Sequence, residues 1–488
     1  LSPRLTLNAG LRWEPTLPDT DKYGRGTSFN RTAFAAGQVS TVYPNAPAGM
    51  FFYGDKGIPK AMWNGNLNAF APRIGFAWNP HGDGRDTFRM GAAILYDHAE
   101  IFFNERETTN PPYGGAVQVA TPAGGFTNPY QGYPGGSPFP PGATVTFPLQ
   151  GIYINMPVNV EPTYMAQWNA SYQRQFAQKW LVQLTYIGNK TTHLWVGSEV
   201  NPAVYIPGNS TTSNTNQRRM LYLQNPTLGQ YYASINSADL GSNSRYEAGL
   251  LSVQRRFSQH LTFLTNYTYS YCISDLDFTG ELGGSPNSQP FNRSADRGPC
   301  NYDYRHIFNT SMVATSPAIG GSWMRRITGG WQFAPLIRAT SGAALSVTSG
   351  ADNSRTGLNN DRPLQIAANP YVSGGTPCPL ATQLCVAWLR PSGQAFIQNP
   401  VGTFGNVGRD ALRGPGALNF DLSLSRIFAI TERYRLQARF EAFNAINHAN
   451  FGNPATNLSS STFGLITGTA SGSVGEPRIL QFALKLHF

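Results

Sequence analysis

Seven histidines and four cysteines are the residues of this 488-residue chain best suited to binding a metal or attacking a substrate. The histidines, His81, His98, His193, His260, His306, His448 and His487, are dispersed with no pair at a metal-ligating interval. Cys272, Cys300, Cys378 and Cys385 include no Cys-x-x-Cys pair and have no histidine cluster nearby, so a zinc centre is not expected. No Gly-x-Ser-x-Gly elbow and no Gly-x-x-x-x-Gly-Lys loop occurs. Asp83, Asp86, Asp352 and Asp361 lie in Gly- and Asn-rich stretches that could hold calcium, but they lack the EF-hand spacing and its closing Glu. Turn formation accounts for them better. Enzymatic chemistry is therefore not expected, and neither is a metal or a cofactor.

A different pattern stands out between residues 433 and 441. Arg433, Arg435, Gln437, Arg439 and Glu441 alternate with Tyr434, Leu436, Ala438 and Phe440, and Asp421 and Ser423 lie on a neighbouring segment of the same kind. Side chains on a strand point to opposite faces at a period of two, so one face is polar and basic while the other is apolar. Arginines facing lipid would be costly, which puts the polar set on a water-filled lumen if the apolar set meets a membrane. There it could form a basic wall contacting an internal plug or an anionic solute, or an internal salt-bridge network. The last residues repeat the pattern: Leu480, Phe482, Leu484, Leu486 and Phe488 oppose Gln481, Ala483, Lys485 and His487, and the chain stops on the aromatic. Outer-membrane β-barrels end in this way, although a soluble secreted β-protein could too.

The elements that must carry these residues are strands. Hydrophobic residues make up 41% of the chain and charged residues 13%, with 51 glycines and 36 prolines, a composition opposed to disorder and rich in turn formers. No run of eighteen apolar residues occurs, which removes a transmembrane helix but not a barrel, whose lipid-facing residues are diluted by lumen residues. Period-two segments predict roughly twelve strands. They are Arg4 to Glu14, hairpins within Phe70 to Asp97, Thr163 to Trp195 and Tyr246 to Tyr271, His306 to Thr315 with Gly330 to Thr340, Asn419 to Phe428 with Arg433 to Asn444, and the terminal strand. Short turns near residues 80, 178, 259, 322 and 430 alternate with long links over about 15–68, 98–161, 196–243, 275–303, 341–416 and 445–477. Short and long links thus fall on opposite ends, as periplasmic turns and extracellular loops do. The expected fold is all-β: a transmembrane antiparallel up-and-down β-barrel with long extracellular loops, in the outer membrane of a Gram-negative bacterium.

Within this layout Trp13, Trp78, Trp180, Trp195, Trp331 and Tyr96 lie near strand ends, where interfacial girdles place aromatics. All four cysteines fall on the long-loop side, and disulfides Cys272–Cys300 and Cys378–Cys385 are expected, with the other connectivities and free thiols left open. The Gly-, Pro- and aromatic-rich stretches Asn110 to Gly115 and Tyr133 to Gly142 suit surface loops, which could stack on sugar rings or other flat apolar ligands but are better read as solvated loops without a ligand. The net charge of +10 is scattered rather than clustered, so nucleic acid is not expected as a partner, while outer-membrane lipid is. The start at Leu1, without an initiator Met or a signal-peptide core, suggests a processed, truncated or fragmentary chain.

Several stretches resemble a known family. They are Gly405-Asn-Val-Gly-Arg-Asp-Ala-Leu-Arg-Gly-Pro-Gly416, Asn419-Phe-Asp-Leu-Ser-Leu424, Glu441-Ala-Phe-Asn-Ala-Ile-Asn-His448 with Asn450-Phe-Gly452, and the terminal strand. Phe70-Ala-Pro-Arg-Ile-Gly-Phe-Ala-Trp78, Gln167-Trp-Asn169 through Tyr186-Ile-Gly188, Arg255-Arg-Phe-Ser258 and Asn359-Asn-Asp-Arg-Pro363 add to them. In order and spacing these are similar to the barrel of TonB-dependent outer-membrane transporters, specifically the Oar-like group with many paralogues in Acidobacteria. The resemblance implies energised uptake of a large or scarce solute, driven by a TonB complex acting on a plug. Residues 1–488 would then be one barrel domain, the C-terminal part of a barrel of about 22 strands, with the plug and TonB-binding segment outside this chain. It also implies that Leu480, Phe482, Leu484, Leu486 and Phe488 form the signal read by the barrel-assembly machinery. A passive pore or surface adhesin without TonB coupling is the alternative, and neither reading identifies the solute.

Overall fold

The computed structural model describes residues 3–61, 63–98, 106–119, 121–134, 136, 147–177, 179–258, 260–275, 287–372, 380 and 384–488. One sheet dominates it. Twelve strands follow one another in sequence order, each antiparallel to the next: β1 (Leu5–Trp13), β2 (Phe70–Trp78), β3 (Asp86–Tyr96), β4 (Tyr164–Phe176), β5 (Trp180–Glu199), β6 (Tyr232–Ser258), β7 (Leu261–Ser274), β8 (His306–Thr315), β9 (Trp331–Thr340), β10 (Ala417–Ala429), β11 (Arg435–Phe443) and β12 (Ile479–His487). This is the up-and-down meander the alternation predicts. Among the described residues β1 and β12 share no ladder, so each leaves one edge of the sheet open.

Register keeps each face consistent across the sheet. Leu7 pairs with Phe76, Phe76 with Met90, Met90 with Ala170 and Ala170 with Tyr186. The same row logic pairs Leu424 with Phe440 and Phe440 with Phe482. Every residue of these rows is apolar or aromatic, and many stand exposed, as the lipid-facing side of a membrane barrel requires. The opposite face carries Asn8, Gln167, Asn169, Gln183, Asn266, Asn309, Asp421 and Gln481, polar residues that suit a wet lumen. No helix among the described residues is long and apolar enough to cross a membrane.

Strand length departs from expectation in one hairpin. β5 has 20 residues and β6 has 27, whereas about 9–11 span a bilayer. Residues 196–199 and 232–243, which the sequence presents as part of a long link, extend the two strands into a two-stranded tower on the long-loop side. Residues 232–245 escape pattern reading because Ser234, Asn236, Ser237, Asp239, Ser242 and Asn243 make both faces polar. The short strand Gly151–Asn155 runs parallel to this tower and helps bury it. Trp195, expected in a girdle, instead lies buried on the tower against Trp63, with ring centroids 5.5 Å apart.

The remaining aromatics do mark strand ends. Phe88 stacks between Trp78 and Tyr172, and Arg255 lies over Trp180 at 5.2 Å. At the opposite end of the sheet the long links fold into a layer with cores of its own. One core joins Phe34, Met50, Phe52, Tyr153 and Leu221, from the links after β1, β3 and β5, with Tyr232 at the top of β6. A second joins Leu345, Leu389, Phe396, Val407, Leu458 and Phe463 from the links after β9 and β11.

Candidate functional site

The lumen wall and the loop layer above it are the two surfaces a passing solute would meet. On the wall, β11 places Arg435, Gln437, Arg439 and Glu441 on one face. Arg439 sits opposite Ser425 of β10 and Ala483 of β12, and Glu441 opposite Ser423 and Gln481. Arg439 and Glu441 form an ion pair at 3.6 Å. Asp421 is tied into the same wall: it accepts hydrogen bonds from Asn419 Nδ2 at 3.0 Å and from the backbone N–H of Asn444 at 2.8 Å. Arg433 is a correction to the expected set. The turn closes with the N–H groups of Ile430 and Thr431 on the Tyr434 carbonyl, so the strand starts only at Arg435 and Arg433 lies in the turn, over the Tyr434 ring.

A second stretch of wall forms a groove of about 630 Å³ across β1 to β4, bordered by Asn8, Arg73, Gly75, Gly91, Gln167 and Asn169. Two glycines form part of it as register partners, Gly75 on β2 and Gly91 on β3. Composition of the wall then changes across β7 to β9. Leu264, Val313 and Leu336 point to the lumen side and are 36%, 40% and 49% exposed. These three make an apolar patch on the lumen side, where Leu95 and Ile427 also stand exposed. On the outer side, a groove along Gly249 lined by Tyr172, Leu184, Tyr186 and Tyr267 faces lipid and belongs to acyl chains rather than to solute.

Above the lumen, buried arginines hold the loops together. Arg218 donates to the carbonyls of Val204 at 2.7 Å and Arg355 at 2.8 Å, joining the links after β5 and β9. Arg219 donates to Asn201 O at 2.7 Å and to Gln118 Oε1 at 3.0 Å, and stands 3.6 Å from Glu199. Glu199 also accepts from the N–H groups of Asn201 at 2.7 Å and Ile235 at 3.0 Å. Burial nevertheless holds its carboxyl above the ordinary value, with Arg219 and these donors pulling the other way. Arg362 joins Val407 O to the Asp296 carboxylate, and Arg409 reaches the carbonyls of Ser274 at 2.6 Å and Gly298 at 3.0 Å. Most acceptors are backbone carbonyls, so these arginines are structural ties rather than vacant ligand sites.

The outermost loops leave a polar cavity of about 750 Å³ bordered by Phe29, Asn30, Asp55, Lys56, Asn155 and Asn159. Asp55 is committed elsewhere, accepting from Ser40 Oγ at 2.6 Å, from the Thr41 N–H at 2.7 Å and from the Phe52 N–H at 2.9 Å. Burial raises its carboxyl, but these hydrogen bonds outweigh burial and leave it below the ordinary value. Asp352 and Asp361 act as turn hubs: Asp352 accepts from the N–H groups of Thr356 and Gly357, and Asp361 from Ser354. No cluster of three or more metal-ligating side chains occurs among the described residues.

Cys272 at the top of β7 and Cys300 before β8 form a disulfide with Cα atoms 5.4 Å apart, which draws together the ends of their loop. Cys385 is also disulfide-bonded, while Cys378, its expected partner, lies outside the described residues. Much of the Tyr133 to Gly142 stretch lies outside them as well. In the terminal strand, Leu480, Phe482, Leu484 and Leu486 pair on the lipid face with Ala442, Phe440, Ala438 and Leu436, and Phe488 stands exposed just beyond. The arginine ties and the apolar lumen patch were missed in the sequence, where each is a single residue with a partner tens of positions away.

Among solved structures, the chain is similar to the outer membrane transporter YddB from Escherichia coli, at a TM-score of 0.48 and 8% identity, over 87% of this chain and 41% of that one. It is also similar to P. aeruginosa FpvA bound to heterologous pyoverdines, at 0.40 and 8% over 88% and 34%. A mutant of the ferric enterobactin receptor PfeA from Pseudomonas aeruginosa gives 0.40 and 12% over 86% and 40%. The chain thus spans between about a third and two fifths of the length of these proteins. No curated protein matches it. The family model of the outer membrane beta barrel domain matches residues 1–481, nearly the whole chain. With its apolar outer face, polar inner face and layer of long loops, this chain belongs to the outer membrane beta barrel domain family and resides in the Gram-negative outer membrane.

Proposed function

We propose that the chain is the barrel of a TonB-dependent transporter of the Oar-like group, which takes up a large or scarce solute with energy from an inner-membrane TonB complex. The observation that carries this reading over a passive pore is the lumen patch of Leu264, Val313 and Leu336. A water-filled channel would leave these side chains wet, at a cost of about 25 cal/mol for each Å² of apolar surface, whereas a plug packed in the lumen would cover them. The open edges of β1 and β12 support a larger barrel, because unpaired strand edges are not tolerated in lipid. Residues 1–488 would then be one part of that barrel's wall, folded by the barrel-assembly machinery. The loop cavity is where a solute would first bind, and the basic wall at Arg435 and Arg439, toward the short-turn end, would meet it further along the lumen.

Full-length protein isolated from outer membranes is expected to be electrically silent in planar bilayers and to bind the periplasmic domain of TonB. A steady conductance together with no TonB binding would establish the pore instead.

A further inference from the structure

The turn between β8 and β9 contains a helix, Ser322–Thr328, and its exposed surface is apolar and basic. Residues 316–330 include Arg325 and Arg326 and no acidic residue. The position of the helix is set by two side chains from the lipid-facing row. Trp331 Nε1 donates to the Ile327 carbonyl at 2.9 Å. Arg426 Nη1 donates to the same carbonyl at 2.6 Å, and its Nη2 to the Arg326 carbonyl. Trp331 and Arg426 are register partners, and the row continues through Phe333 and Leu424. The last carbonyls of a helix lack partners within it, and here the membrane face of the sheet supplies them. The helix therefore lies against the outside of the barrel, at the rim where the short turns and the chain terminus lie.

That placement decides what its exposed residues meet. Ile319, Trp323, Met324 and Ile327 all stand exposed, Trp323 at 67%. The Arg426 guanidinium stacks 5.5 Å from the Trp331 ring and 4.7 Å from Phe428, extending an aromatic girdle up to the helix. A short element with tryptophan and aliphatic residues beside arginines fits the plane between acyl chains and headgroups. We propose that this helix binds anionic phospholipid of the periplasmic leaflet, with Trp323, Met324 and Ile327 seated beside acyl chains and Arg325 and Arg326 holding the headgroup phosphate. Charge complementarity selects the anionic class, since the turn adds two positive charges and Glu432 of the neighbouring turn is followed directly by Arg433.

Native mass spectrometry of the full-length protein, titrated separately with phosphatidylglycerol and phosphatidylethanolamine, tests this. Arg325→Gln with Arg326→Gln is expected to weaken the tightest phosphatidylglycerol binding by about 25-fold, fivefold for each charge, with phosphatidylethanolamine unchanged. Arg325→Lys with Arg326→Lys is expected to retain it. Heat-modifiable migration would show that both variants remain folded barrels. Unchanged phosphatidylglycerol binding in the Gln variant, or an equal loss of both lipids, would overturn the proposal.

Discussion

Glu107 is a carboxyl placed where a charge has no support. Its oxygens are buried and, among the described residues, complete no hydrogen bond, although the Thr27 N–H leans toward them. Burial raises this carboxyl well above its ordinary 4.5. The folded loop therefore keeps the proton over a pH range in which the unfolded chain has released it. The contribution to stability is complete below about pH 4.5 and declines as pH rises toward the folded-state value. Hydrogen exchange at residues 27–29 and 106–114, corrected for intrinsic rate, is expected to quicken between pH 5 and 8 in the wild type and to stay level in Glu107→Gln. Parallel profiles in the two proteins would refute this. None of it was legible in the sequence, where Glu107 is one acid in a loop, and the same holds for Arg218, Arg219, Arg362 and Arg409. What defines them is burial among carbonyls that only the folded loops assemble.

At the scale of elements, sequence pattern succeeded wherever one face met lipid and the other water. β1, β4 and β12 alternate cleanly because the two solvents differ, and their observed bounds fall within a residue or two of expectation. It failed on the upper part of β6, where hydrogen bonding within the loop layer replaces the lipid contrast. The lipid row on β12 also has a consequence for assembly, because Phe440 and Phe482 meet with ring centroids 5.0 Å apart. Deletion of β12, or Phe488→Asp, is expected to abolish outer-membrane insertion. A variant that still runs as a heat-modifiable barrel would contradict the assembly role.

For the whole molecule the open question of geometry is what pairs with β1 and β12. Thr6, Asn8 and Arg12 share the lumen face with Gln481, Ala483 and Lys485. Cysteine at Asn8 combined in turn with cysteine at Gln481, Ala483 or Lys485 is expected to form no new disulfide in the full-length protein, because other strands would separate the two edges. Efficient cross-linking in any one pair would show that the twelve strands close on themselves.

The loop ties at Arg218, Arg219 and Arg409 end mainly on neutral carbonyls rather than on carboxylates. A peptide carbonyl has no charge to be neutralised or screened. Added salt should therefore leave these carbonyl bonds in place while partly exposed pairs of the same loop layer, such as Arg293–Asp239 and Arg297–Asp275, loosen first.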